Sequence, residues 1–171
     1  MGRNGMTNRL LGLSLSLCLL LSACGYHLMG MGQGVVPADA KVVRLIGAGG
    51  DERFTSDMLA FLRDNASYSV ISASSEKQAD AELHLSKLTE SLSPITYDAS
   101  GIVTVDRMSL TGELSLWRDN EQIWQSGTVS AFEDVDVSGG PTAIESAKSR
   151  IRSDLQTQWM RQAWLKLSSG F

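Results

Sequence analysis

The longest strand pattern in the chain is Ile102-Val103-Thr104-Val105-Asp106-Arg107-Met108-Ser109-Leu110-Thr111-Gly112-Glu113-Leu114-Ser115-Leu116-Trp117. Along its second half, apolar and polar residues alternate, which is the period of a strand with one buried face. The residues that share the apolar face are Met108, Leu110, Gly112, Leu114 and Leu116. The pattern predicts a long strand that packs on a core through this face.

The segments on either side of this strand extend it into a sheet. Residues 118–121 are a polar turn that leads into a second arm, Ile123–Phe132, so the two arms predict a hairpin. On the other side, residues 81–92 alternate in the same way. Their apolar phase slips near Ser86-Lys87, and a slip of this kind predicts a β-bulge.

Two amphipathic helices complete the pattern. Asp51 is a good N-cap residue, and apolar residues at helical spacing predict a helix over residues 51–65. A second helix begins near Pro141, and its apolar ridge is formed by Ile144, Ala147, Ile151, Leu155, Trp159, Ala163 and Leu167. With a short strand at 41–46, these elements predict one α+β domain over residues 41–171. We expect a four-stranded, mostly antiparallel sheet with two helices packed on one face.

Three aromatic residues are predicted on the face of the sheet that points away from the helices. Trp117 ends the long strand, and Trp124 and Phe132 have the opposite parity to the apolar residues of the second arm. Clustered exposed aromatic side chains are typical of an interface with a partner. Cover by the chain's own loops is the alternative.

The first 23 residues have the composition of an export signal. Arg3 and Arg9 precede an apolar run, residues 10–21. This run is too short to span a bilayer, which takes about 20 residues. The next residues, Leu21-Ser22-Ala23-Cys24, resemble a bacterial lipobox. In such a motif the cysteine thiol receives diacylglycerol, and the new amino terminus is acylated, commonly with palmitate. An ordinary signal peptide with a chance cysteine is the alternative.

The residues after the predicted cleavage site limit which classes of protein the chain can belong to. Residues 24–40 are rich in glycine and predict a tether between the lipid on Cys24 and the domain. The whole chain has 15 Lys and Arg against 19 Asp and Glu, and loss of Arg3 and Arg9 makes it more acidic. This charge argues against a nucleic-acid partner.

The segment Cys24-Gly25-Tyr26-His27-Leu28-Met29-Gly30, followed by the element order described above, resembles the LPS-assembly lipoprotein LptE family. The resemblance implies a non-enzymatic lipoprotein of the outer membrane that faces the periplasm. It also implies that the chain plugs an LptD-type β-barrel, helps that barrel assemble and assists insertion of lipopolysaccharide into the outer leaflet. No cofactor other than the covalent lipid on Cys24 is expected.

The resemblance also suggests which residues contact a partner or lipopolysaccharide. The tip between the two long strands carries Tyr97 and Asp98, where the family is reported to use basic side chains. Lys87 and Arg107 are the nearest basic residues, and an ordinary solvated position is the alternative for both. The remaining candidates directly follow the lipid site and are Tyr26 and His27. The isolated His27 predicts no metal site.

The sequence contains no motif that predicts catalysis, so we expect the chain not to be an enzyme. Two other function classes stay open. The first is an outer-membrane lipoprotein that acts as an adaptor of another β-barrel or of a cell-wall assembly. The second is a periplasmic hydrolase with a lipid anchor.

Overall fold

The computed structural model describes residues 34–170, which form eight strands and two helices. The helices are α1 (Glu52–Asn65) and α2 (Pro141–Ser169). The strands are β1 (Val42–Gly47), β2 (Ser69–Ser72), β3 (Ala81–Leu85), β4 (Thr89–Tyr97), β5 (Val103–Gly112), β6 (Leu114–Arg118), β7 (Glu121–Gln125) and β8 (Val129–Asp136). Within this part of the chain, neither helix has the length and apolar character that a membrane crossing requires.

The strands form two sheets, which corrects the prediction of one four-stranded sheet. One sheet has five strands in the order β2-β1-β3-β6-β7, with β1 parallel to both of its neighbours and the other pairs antiparallel. The other sheet is antiparallel and has the order β4-β5-β8. The predicted α+β class is confirmed.

Three segments of the chain run from one sheet into the other, namely β3 into β4, β5 into β6 and β7 into β8. At the crossings, serine hydroxyls accept backbone hydrogen bonds. Ser86 Oγ accepts from the N–H of Glu113 at 2.8 Å, and Ser126 Oγ accepts from the N–H of Leu114 at 2.9 Å. The β-bulge predicted near Ser86-Lys87 is wrong, because β3 ends at Leu85 and the chain makes its first crossing there. The second crossing escaped prediction because the apolar parity of the long strand continues through Glu113.

Both helices pack against one continuous core. The predicted N-cap of α1 is confirmed, since Asp51 Oδ1 accepts a hydrogen bond from the N–H of Phe54 at 3.0 Å. The rings of Phe54 and Trp159 meet edge to face with their centroids 5.7 Å apart, joining α1 to α2. Trp159 is fully buried and donates from Nε1 to the Val129 carbonyl at 3.0 Å. This bond fixes α2 against β8.

Residues 34–40, the end of the predicted tether, lie against the folded domain. The N–H of Val35 donates to the Leu167 carbonyl at 3.1 Å, and the side chain of Val35 packs against the core. The Arg118 guanidinium donates to both carboxylate oxygens of Asp39 at 2.9 and 2.5 Å, and this contact lowers the pKa of Asp39. The chain therefore enters the fold beside the last turn of α2 and the end of β6.

Gly112 provides a direct test of the crossing between the sheets. A Cβ atom at this position would lie 2.5 Å from the side chain of Leu88 and 3.1 Å from the buried ring of Trp159. We expect Gly112→Ala to lower the free energy of unfolding by about 1–3 kcal/mol, because the added methyl group would press on the ring of the fully buried Trp159. Thermal unfolding of the two proteins measures the difference.

Gly139→Ala is the matched control for this substitution. A Cβ atom at Gly139 would make an ordinary contact of 3.5 Å with Ala143. Its unfolding midpoint should stay close to that of the unsubstituted protein. Equal midpoints for all three proteins would contradict the close packing at the crossing.

Candidate functional site

The hairpin of β4 and β5 has a fully exposed outer part. Every residue from 91 to 102 is exposed, and α2 packs mainly on β8 and β5, not on β4. Near the start of β4, Arg152 of α2 holds Glu90 through two hydrogen bonds of 2.6 and 2.8 Å. We call residues 91–102 the distal hairpin.

The distal hairpin presents apolar side chains to solvent. Its four large apolar residues have exposed fractions between 40% and 65%, and they are Leu92, Ile95, Tyr97 and Ile102. Such side chains usually pack inside a protein, so a group of them on one projection favours contact with a partner. The edge itself is poorly suited to accept another strand, because Pro94 lacks an N–H and the pairing is irregular around Ile95.

Tyr97 and Asp98, both predicted to contact a partner, have different environments at the tip. Tyr97 is 57% exposed and lies at the end of β4. The carboxylate of Asp98 accepts hydrogen bonds from the N–H groups of Ser100 at 2.8 Å and Ile102 at 2.9 Å. Asp98 therefore shapes the turn, whereas Tyr97 is free to meet another molecule.

Arg107 and Phe132, two further predicted residues, are brought together on the outer face of the three-stranded sheet. The Arg107 guanidinium lies 4.8 Å from the centroid of the Phe132 ring. It also donates to both carboxylate oxygens of Asp134, at 2.8 and 3.1 Å. This pairing lowers the pKa of Asp134 and raises the pKa of Arg107. The charge of Arg107 is thus matched by an acidic partner, while Phe132 stays 58% exposed.

Lys87 and Trp117 lie away from the distal hairpin. Lys87 is exposed at the crossing between β3 and β4, whereas Tyr97 is the last residue of β4, so the length of β4 separates them. Trp117 is half-buried on the outer face of the five-stranded sheet, where its ring centroid is 5.5 Å from that of His84. Its Nε1 donates to Ser115 Oγ at 2.9 Å. Neither side chain joins the group around Tyr97.

The prediction that Trp124 lies on the outer face is wrong. Trp124 is paired with the buried Leu116 and packs against the core, whereas Ile123 is 43% exposed. The side-chain alternation changes phase twice around this strand. The first change is an irregularity in the pairing after Leu116, and the second is the turn at Gly127, whose φ is +61°. Counting the side-chain alternation back from β8 passes through the turn at Gly127, so the count assigns Trp124 to the wrong face.

The other predicted site residues, Cys24, Tyr26 and His27, lie outside the described residues. Leu92 and Ile102 were not among the predicted contact residues, although apolar residues interrupted by Pro94 and Gly101 are visible in the sequence. Within residues 34–170, no three His, Cys, Asp or Glu side chains come together as a metal site would require. The expectations that the chain binds no metal and is not an enzyme stay predictions.

Comparison with solved structures identifies bacterial lipoproteins with a similar fold. An uncharacterized lipoprotein B from Nitrosomonas europaea gives a TM-score of 0.64 at 15% identity, covering 84% of this chain and 90% of that chain. Rare lipoprotein B from Shewanella oneidensis gives 0.60 at 14%, covering 75% and 95%. A minor lipoprotein from Acinetobacter baumannii gives 0.62 at 13%, covering 78% and 95%. The TM-scores show a shared fold, and at identities this low the similarity shows the fold alone. No family model and no curated protein matches the chain.

The corrected positions of the aromatic residues predict different effects on stability. Trp124→Ser should lower the free energy of unfolding by about 2–4 kcal/mol, because it removes a ring packed against the core. Phe132→Ser should change it by about 0.5 kcal/mol or less, because this ring is mostly exposed. Thermal unfolding of the two variants measures both effects. Equal midpoints would show that the two rings share one environment, contrary to the fold.

Proposed function

We propose that the chain is a non-enzymatic lipoprotein, anchored in the outer membrane through Cys24, that plugs an LptD-type β-barrel. In this role it helps the barrel assemble and assists insertion of lipopolysaccharide into the outer leaflet. The observation that carries the proposal is the distal hairpin, which exposes Leu92, Ile95, Tyr97 and Ile102 on a projection supported by a folded domain. A projection with this surface suits insertion into a partner.

The fold supports the proposed class of protein. The similar solved structures are lipoproteins from three bacteria, and one of them is rare lipoprotein B. A lipoprotein fold agrees with the lipobox predicted at Leu21-Ser22-Ala23-Cys24. The role in lipopolysaccharide assembly is supported separately, by the resemblance of the segment from Cys24 to Gly30 to the LptE family.

The charges of the hairpin suggest how lipopolysaccharide would be contacted. Arg107 is paired with Asp134, and the Asp98 carboxylate accepts hydrogen bonds within the turn. Within residues 91–102 there is no Lys or Arg. We therefore propose that any direct contact with lipopolysaccharide uses apolar and hydrogen-bonding groups such as Tyr97. Charge-assisted bonds to phosphate would be a minor contribution.

The experiment that tests this function is co-purification from detergent-solubilised outer membranes. A tagged chain should capture an LptD-type β-barrel in stoichiometric amount, because a plug remains inside its partner. The double substitution of Tyr97 and Ile102 by Ser should weaken this capture several-fold, since it removes the two most exposed apolar side chains of the hairpin.

Ile123→Ser is the matched control, because Ile123 is also a large exposed apolar residue but belongs to β7 of the five-stranded sheet. This variant should capture the barrel as well as the unsubstituted chain does. Capture of a different barrel machine or of peptidoglycan, without the LptD-type barrel, would instead identify an adaptor. Capture of neither would contradict the proposed function.

A further inference from the structure

The C-terminal turn of α2 exposes one large apolar side chain. Leu165 is 61% exposed, whereas the other large apolar residues of this half of the helix are buried or packed against the core. Those residues are Leu155, Trp159, Met160, Trp164 and Leu167. An exposed Leu is by itself ordinary, so its meaning depends on its surroundings.

Three carbonyl groups around Leu165 accept hydrogen bonds within the protein. The hydroxyls of Ser168 and Ser169 both donate to the Leu165 carbonyl, at 3.2 and 2.6 Å. The Lys166 carbonyl accepts from the N–H of Gly170 at 2.9 Å, and the Leu167 carbonyl accepts from the N–H of Val35 at 3.1 Å. The last four carbonyls of a helix have no partner within the helix. These three groups can therefore leave water at little cost.

Two cationic side chains near this end are engaged, namely those of Lys166 and Arg118. Lys166 Nζ donates to the Ser126 carbonyl at 2.9 Å, and the Arg118 guanidinium is paired with Asp39. Arg161, one turn before Leu165 on the same face of α2, is exposed and has no hydrogen bond or ion pair within the described residues. An exposed Leu beside a cation suits an anionic phospholipid surface, where the apolar side chain enters the acyl region and the cation stays near the phosphates.

The path of the chain indicates which end of the fold is near the membrane. Val35 is bonded to Leu167, so the segment that leads back to Cys24 leaves the fold beside the last turn of α2. Fully extended, the chain from Cys24 to Gly34 spans at most about 35 Å. The distal hairpin begins at the other end of β5 and β6, up to about 50 Å away along those strands.

We infer that the C-terminal turn of α2 is a membrane-contact surface, in which Leu165 enters the outer part of a phospholipid bilayer. The inference rests on the lipid anchor of the proposed function and adds the orientation of the domain on the membrane. Leu165 and the acyl chains on Cys24 would enter the same leaflet. The lipid anchor makes this weak contact effective, because it keeps the surface close to the bilayer.

Site-directed spin labelling tests the inference on the full lipidated protein. The sequence has two cysteines, and the predicted processing removes Cys18 and blocks the thiol of Cys24. A nitroxide can therefore be attached selectively to Leu165→Cys. Ile102→Cys in the distal hairpin is the matched control, because these two positions are 61% and 65% exposed. Both variants are reconstituted in vesicles of phosphatidylethanolamine and phosphatidylglycerol and recovered by flotation.

The expected result is a several-fold higher ratio of oxygen to nickel-reagent accessibility at residue 165 than at residue 102. Oxygen concentrates in the bilayer, whereas the nickel reagent stays in water. Equal ratios in floated vesicles would overturn the inference. If the protein did not float with the vesicles, the lipid anchor on which the inference rests would be absent, and the inference would be overturned as well. The experiment contains no barrel, so its failure and a failure of barrel capture are distinguishable.

Discussion

Two serine hydroxyls hold the backbone where the long strands change sheets. Ser86 and Ser126 accept hydrogen bonds from the N–H groups of Glu113 and Leu114, which regular pairing would satisfy with carbonyls. A buried N–H without a partner costs about 1–3 kcal/mol, so these bonds make the crossing possible. Gly112 beside them leaves room for the ring of Trp159. This crossing lets one core support two sheets, and the second sheet carries the exposed hairpin.

The crossing also separates two ends with different surfaces. At one end, residues 34–40 lie against the fold, and Val35 and Asp39 bind the last turn of α2 and the end of β6. At the other end, residues 91–102 are exposed. This arrangement suits a protein that is attached to a membrane near one end and meets a partner with the other. It gives the proposed plug a direction relative to its lipid.

The sequence predicted the features that depend on local patterns. It predicted the α+β class, both helices and the N-cap at Asp51, but it took the change of sheet near Ser86-Lys87 for a β-bulge. It did not predict two sheets, because apolar parity continues across Glu113 while the pairing partners change. Trp124 was assigned to the wrong face because the turn at Gly127 shifts the phase of the strand. Exposure of the distal hairpin depends on which strands α2 covers, and sequence periodicity does not contain that information.

The distal hairpin is the surface that we propose meets the partner. A photocrosslinker at Tyr97 in living cells tests this claim most directly, with the same group at Glu76, which is exposed in the loop between β2 and β3, as the comparison. We predict strong crosslinks from residue 97 to an LptD-type barrel and weak or none from residue 76. Crosslinks from residue 97 that are no stronger than those from residue 76 would contradict the claim.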